Sequence, residues 1–141
     1  MTVGGKDQLV LAGCTTVTSY DPMTGKLLWS SSGTGEESVG TPVTNGNLIF
    51  ASGGYPEQDT VALKPDGGIV WRHNVKSRVP SLLVYGDHLY MISDDGIARC
   101  YEANSGRQTW MHRIGGQFRV SPVVSGGQII TTDITGKTTV F

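Results

Sequence analysis

An all-β chain assembled from repeated four-strand modules is what this sequence predicts, and three observations predict it. Markers recur along the chain at intervals of about forty residues. Thr, Val and Ile are plentiful and alanine is scarce, a composition that suits a pleated surface better than a helix. Gly and Pro also punctuate the chain so often that the longest run free of both, Ile69 to Val79, is only about one average helix long.

The markers are independent of one another. Trp29, Trp71 and Trp110 lie 42 and 39 residues apart, Pro42, Pro80 and Pro122 lie 38 and 42 apart, and Gly46, Gly86 and Gly126 lie 40 apart. An apolar strand starts soon after each glycine (Leu48-Ile49-Phe50, Leu89-Tyr90-Met91, Ile129-Ile130), with Leu9-Val10-Leu11 as an earlier copy. Within one unit a proline-bearing strand, Val79 to Val84, turns at Gly86 into a second strand, His88 to Ile92. The tight turn Asp94-Asp95-Gly96 leads to a third strand, Ile97 to Glu102. The turn Asn104-Ser105-Gly106 leads to a fourth, Arg107 to His112, which carries Trp110. Asn and Gly supply the positive φ that such turns demand. Four short antiparallel strands per forty residues is the unit of a β-propeller blade.

The segment Ser19-Tyr20-Asp21-Pro22-Met23-Thr24-Gly25-Lys26-Leu27-Leu28-Trp29 resembles the tryptophan-docking motif of pyrroloquinoline-quinone-like (PQQ-like) propeller repeats, Ala-x-Asp-x-x-Thr-Gly-Lys-x-x-Trp. Cys100 through Trp110 matches at the same spacing, and Ala62 through Trp71 matches one residue shorter. Ser121-Pro122-Val123-Val124 followed by Gly126 resembles the innermost-strand signature of the same family. The resemblance covers nearly the whole chain. It implies that each indole docks between neighbouring blades, making Trp29, Trp71 and Trp110, with the turn glycines Gly25 and Gly106, structural docking residues.

With strands labelled A to D outward, the chain reads BCD, ABCD, ABCD, ABC over residues 1–141. That is two complete and two incomplete blades, spanning about 8–31, 39–73, 79–112 and 119–141. The expectation is a segment of a longer propeller, with a half-ring pairing with a second copy as the alternative. Self-association through exposed blade edges is expected in either case.

Composition and motif searches narrow the chemistry. A formal net charge of −1 gives no electrostatic footprint for nucleic acid, and no apolar run is long enough to span a membrane. No signal-peptide pattern is visible, although the family resemblance implies a periplasmic or extracytoplasmic setting. Cys14 and Cys100 lack the paired spacing of a zinc site. Gly136-Lys137-Thr138 lies between two strands with no helix to follow, so it reads as a hairpin turn and not as a phosphate-binding loop. His73 and His112 each follow their Trp by two residues and read as outer-strand histidines, while His88 opens a strand. Asp94, Asp95 and Asp133 lack the alternating pattern of a calcium loop and read as turn residues.

Three residues remain as candidate partner contacts. Arg78 and Arg119 stand at the entry to consecutive inner strands, at different offsets from the following proline. Tyr55 sits in the long connection Ser52 to Thr60, a loop on a rigid scaffold. No catalytic constellation is identifiable, and neither quinone nor calcium is expected. The resulting expectation is a non-catalytic scaffold or protein-binding surface with an unidentified protein partner. The alternatives are a fragment of a quinone-dependent dehydrogenase, or a propeller that binds carbohydrate or another small ligand.

Overall fold

A computed structural model describes all 141 residues, and every regular element in it is a β-strand. β1 (Thr2–Val3) and β2 (Lys6–Asp7) form a short hairpin that the sequence reading does not include. Four antiparallel sheets follow in chain order. The first is β3 (Leu9–Ala12), β4 (Thr16–Tyr20) and β5 (Leu27–Ser32). The second is β6 (Val43–Thr44), β7 (Ile49–Gly53), β8 (Asp59–Leu63) and β9 (Ile69–His73). The third is β10 (Leu83–Tyr85), β11 (His88–Ile92), β12 (Ile97–Glu102) and β13 (Gln108–Arg113). The last is β14 (Val123–Ser125), β15 (Gln128–Thr132) and β16 (Thr138–Val140). The all-β class and its four-stranded antiparallel blades are therefore as the sequence predicts.

Period-two alternation explains how the sheets stack. Along β7 every residue is buried, because both faces of this strand are covered. Ile49 and Ala51 join Val10, Val17, Val61 and Leu63 in one apolar cluster, on the side of the first sheet. Phe50, between them in sequence, joins Leu82, Leu89, Met91 and Tyr101 in another, on the side of the third sheet. Each full burial of a Val, Leu, Ile or Phe side chain is worth about 1.5–3 kcal/mol, so the seams between sheets are the core of this molecule. The third seam is the thinnest, with Ile92, Ala98 and Phe118 as its buried cluster.

The inner strands converge end to end. The Thr41 N–H donates to Ser81 Oγ at 3.0 Å, and the Ser81 N–H donates to Ser121 Oγ at 3.0 Å. These three hydroxyl residues keep a strict forty-residue interval, which Pro42, Pro80 and Pro122 do not. Pro80 stands one repeat after Gly40, and its carbonyl lies close to where a Gly40 side chain would be.

One buried polar atom in the thin seam lacks a partner, the Thr131 hydroxyl on β15. In the preceding seam Thr60 Oγ1 sits 3.9 Å from the sulfur of Met91, which is Thr131's counterpart one repeat earlier. The counterpart of Thr60 on β12 is Ala98, which has no hydroxyl to offer. Thr131→Val removes the orphaned group at nearly constant volume and is expected to raise stability by about 1 kcal/mol. A thermal melt that falls instead would show the hydroxyl in use.

Candidate functional site

The sheets present two sets of candidate residues, the indoles along their outer strands and the loops at one end. Each indole is aimed by a feature the sequence reading missed. In all three repeats the ladder shifts by one residue just before the Trp: Ser19 pairs with Trp29 while Tyr20 pairs with Leu27, skipping Leu28. The same shift leaves out Val70 before Trp71 and Thr109 before Trp110. Such bulges sharpen the local twist and redirect the next side chain.

Two indoles reach across to the following sheet. Trp29 Nε1 donates to the Pro65 carbonyl at 2.8 Å, with its ring against Gly67. Trp71 Nε1 donates to the Ala103 carbonyl at 2.9 Å, with its ring against Gly106 and beside Phe50 and Tyr101. Trp110 makes no hydrogen bond, meets Phe141 edge-on at 5.6 Å, and is 37% exposed. Gly25 has open space where its Cβ would point. The structure thus joins Trp71 to Gly106, but brings no indole to Gly25 and no turn glycine to Trp110.

Two further residues bind these seams. Gln8 is buried, accepts from Ser19 Oγ and Trp29 Nε1, and donates to the Pro65 carbonyl at 2.9 Å. His73 stacks on Tyr101 with ring centroids 5.0 Å apart and contacts the Gly106 carbonyl through Nε2 at 2.7 Å. Sequence position alone signals neither contact, because the partners lie 57 and 33 residues away.

At the opposite end of the strands from these turns, the connections between second and third strands meet the links between sheets. Tyr55 is 58% exposed there. Its loop is fastened to the link before the second sheet: the Glu37 N–H donates to the Tyr55 carbonyl at 3.1 Å, and the Gly54 N–H to the Glu37 carbonyl at 3.0 Å. Arg78 packs against Gly54, and its guanidinium pairs with Glu37 Oε2 at 2.8 Å. Arg78 and Arg119 line one cavity of about 300 Å³ with Lys76 and Asp94, and Arg119 is exposed and makes no hydrogen bond. Tyr55, Arg78 and Arg119 therefore share one end of the molecule, although 64 residues separate the first from the last.

The aspartates of these loops are already engaged by backbone amides or by neighbouring hydroxyls. Asp94 accepts the amides of Arg78 and Val79 at 2.8 and 3.3 Å. The Ser93 hydroxyl holds the Asp95 carboxyl below its ordinary pKa. The Thr135 hydroxyl, helped by the amides of Lys137 and Thr135, does the same for Asp133. Asp94 is turned to the preceding link and Asp95 and Asp133 to their own loops, an arrangement that does not fit a shared cation. Cys14 is exposed in the turn between β3 and β4 and Cys100 is buried on β12, so the two cysteines form no pair. Gly136-Lys137-Thr138 lies at the hairpin between β15 and β16.

Seams of indole on glycine between stacked antiparallel sheets of three and four strands define a PQQ-like repeat propeller segment. The chain belongs to the family described as outer membrane protein assembly factor BamB, whose model matches residues 57–141. No curated protein matches it in sequence. Among solved structures it is similar to BamB from Moraxella catarrhalis, at 18% identity and a TM-score of 0.72 over 89% of this chain. The chain spans 38% of that protein's length. It is also similar to the computationally designed Ika4 protein (15% identity, TM-score 0.76, 96% of this chain and 85% of that one). A europium-containing methanol dehydrogenase is similar over 67% of this chain and 20% of that one, at 18% identity and a TM-score of 0.57.

Proposed function

We propose that this chain is a non-catalytic propeller segment whose indole seams hold a rigid scaffold and whose Tyr55–Arg78–Arg119 end binds a protein partner. The observation that carries the reading is the joining of those three residues on one end. An exposed aromatic stands on a fastened loop, beside one ion-paired and one free arginine. Tyrosine and arginine are the side chains interfaces favour, because each offers large contact area with a polar tip. The family's name and the likeness to BamB support a partner among the proteins of outer-membrane assembly, in a bacterial cell envelope.

A photo-crosslinking residue placed at position 55, and separately at Ser105 on the other end, tests this in cells. The expected result is a discrete protein adduct from position 55 that Arg119→Glu weakens, and none from position 105. Adducts from position 105 alone, or from neither, reject the assignment.

A further inference from the structure

We infer that the cavity lined by Lys76 and Arg119 is a carboxylate pocket, which takes an acidic segment of the partner protein. The inference rests on the reading that this end of the molecule binds a protein, and it adds the chemistry by which that partner is recognised. Two consecutive links between sheets carry it. Ser38 Oγ donates to the Ser52 carbonyl at 2.9 Å, and Ser77 Oγ donates to the Ile92 carbonyl at 3.0 Å, one repeat further on. The residues just before these serines, Glu37 and Lys76, therefore hold equivalent places. Arg78 follows the buried Ser77, and in the next link Arg119 follows the buried Phe118. In the first cleft Glu37 meets Arg78 at 2.8 Å. In the second, Lys76 stands where the acid stood, so each link contributes a cation to a cavity of about 300 Å³.

No ion pair within the chain answers these two like charges. Asp94 and Asp95 also line the cavity, but Asp94 accepts the backbone amides of Arg78 and Val79, and Asp95 accepts the Ser93 hydroxyl. Neither reaches Lys76 or Arg119 as an ion pair. Two further cations, Arg99 and Arg113, lie near enough to Asp95 to help hold its carboxyl below its ordinary pKa. A surplus of positive charge thus gathers at this end of a chain whose formal net charge is −1. A guanidinium and an ammonium that share one cavity repel each other until an anion lies between them. The molecule's own pair, Glu37 on Arg78, shows a carboxylate to be the anion that fits this kind of cleft. The missing acid is a matter of the residue at position 76, since both links and the sheets they join are present. Charge complementarity of this kind selects a partner and steers its approach.

The test titrates the 141-residue chain with a short synthetic peptide of alternating Glu and Ser, beside its counterpart with Gln for every Glu, and follows backbone amide shifts by NMR. Saturable shifts at Gln117, Phe118 and Arg119 are expected with the Glu peptide alone, and binding is expected to weaken as salt rises. Arg119→Gln and Lys76→Gln are each expected to weaken it about fivefold, and Lys26→Gln, at the opposite end, to leave it unchanged. Neither pocket cation is in an ion pair, so these variants keep the fold, which circular dichroism checks. Equal binding of the Gln peptide, an equal loss in Lys26→Gln, binding matched by inorganic phosphate, or no shifts at millimolar peptide each overturn the pocket. A position-55 adduct alongside any of these outcomes removes the acidic recognition and keeps the docking end. Peptide binding at the pocket without that adduct keeps the carboxylate pocket and rejects the docking end.

Discussion

Trp71→Ala is expected to destabilise the chain by about 3–5 kcal/mol, and Trp110→Ala by only about 1–2 kcal/mol. Both residues occupy the same place in consecutive repeats, so local strand propensity is the same in each comparison. The difference comes from what lies across the seam. Trp71 gives its N–H to the Ala103 carbonyl and packs among Phe50, Tyr101 and Gly106, at the edge of a seven-residue buried cluster. Its removal leaves a cavity there and an orphaned carbonyl, which adds about 1 kcal/mol or more to the packing loss. Trp110 has no hydrogen bond to lose, is 37% exposed, and meets Tyr90 and Phe141 beside a seam whose apolar cluster has only three buried residues. Chemical denaturation of the two variants beside the parent measures the gap. Equal losses would mean that indole packing within a sheet, not docking between sheets, sets the stability.

The unequal seams also show where the sequence is readable. Second strands keep a strict forty-residue step from Leu9 to Ile49, Leu89 and Ile129, so the repeat and its strand order can be found without coordinates. The tryptophan intervals of 42 and 39 depart from that step for local reasons. The Tyr55 loop lengthens the second sheet before Trp71, and the Lys64–Gly68 turn is one residue shorter than its counterparts. Pro80 misleads as a marker because its ring suits the link before the strand as well as the strand itself, so it drifts where Thr41, Ser81 and Ser121 are held by hydrogen bonds.

The candidate site is less readable, because its geometry depends on distant partners. Arg78 invites a reading as a free cation until Glu37, 41 residues earlier, is seen to neutralise it. Arg119 has no counterpart of Glu37 and stays unpaired, a distinction that charge patterning along the chain does not contain. The bulge before each Trp is missed for another reason. Leu28, Val70 and Thr109 share no side-chain type, so an extra backbone residue leaves only a spacing, and that spacing is hidden inside a strand.

Gly106→Ala is expected to cost about 3–4 kcal/mol, against about 1 kcal/mol for Gly25→Ala. The two glycines hold the same turn position with nearly the same backbone, φ +73° and +69°, so the left-handed strain of an alanine is common to both. The gain from a stiffer unfolded chain is common as well. What differs is the seat. A Cβ on Gly106 would come within 2.7 Å of the Trp71 ring, whereas a Cβ on Gly25 would meet nothing within 4 Å. The ring cannot retreat cheaply, since its N–H is tied to Ala103 and its far side is packed against Phe50. Subtracting the two losses therefore isolates the indole–glycine contact, and combining Gly106→Ala with Trp71→Ala should remove most of it as a coupling energy. If both alanines cost the same, and the double variant is simply additive, the glycine serves only its turn and the seam is held by the apolar cluster alone.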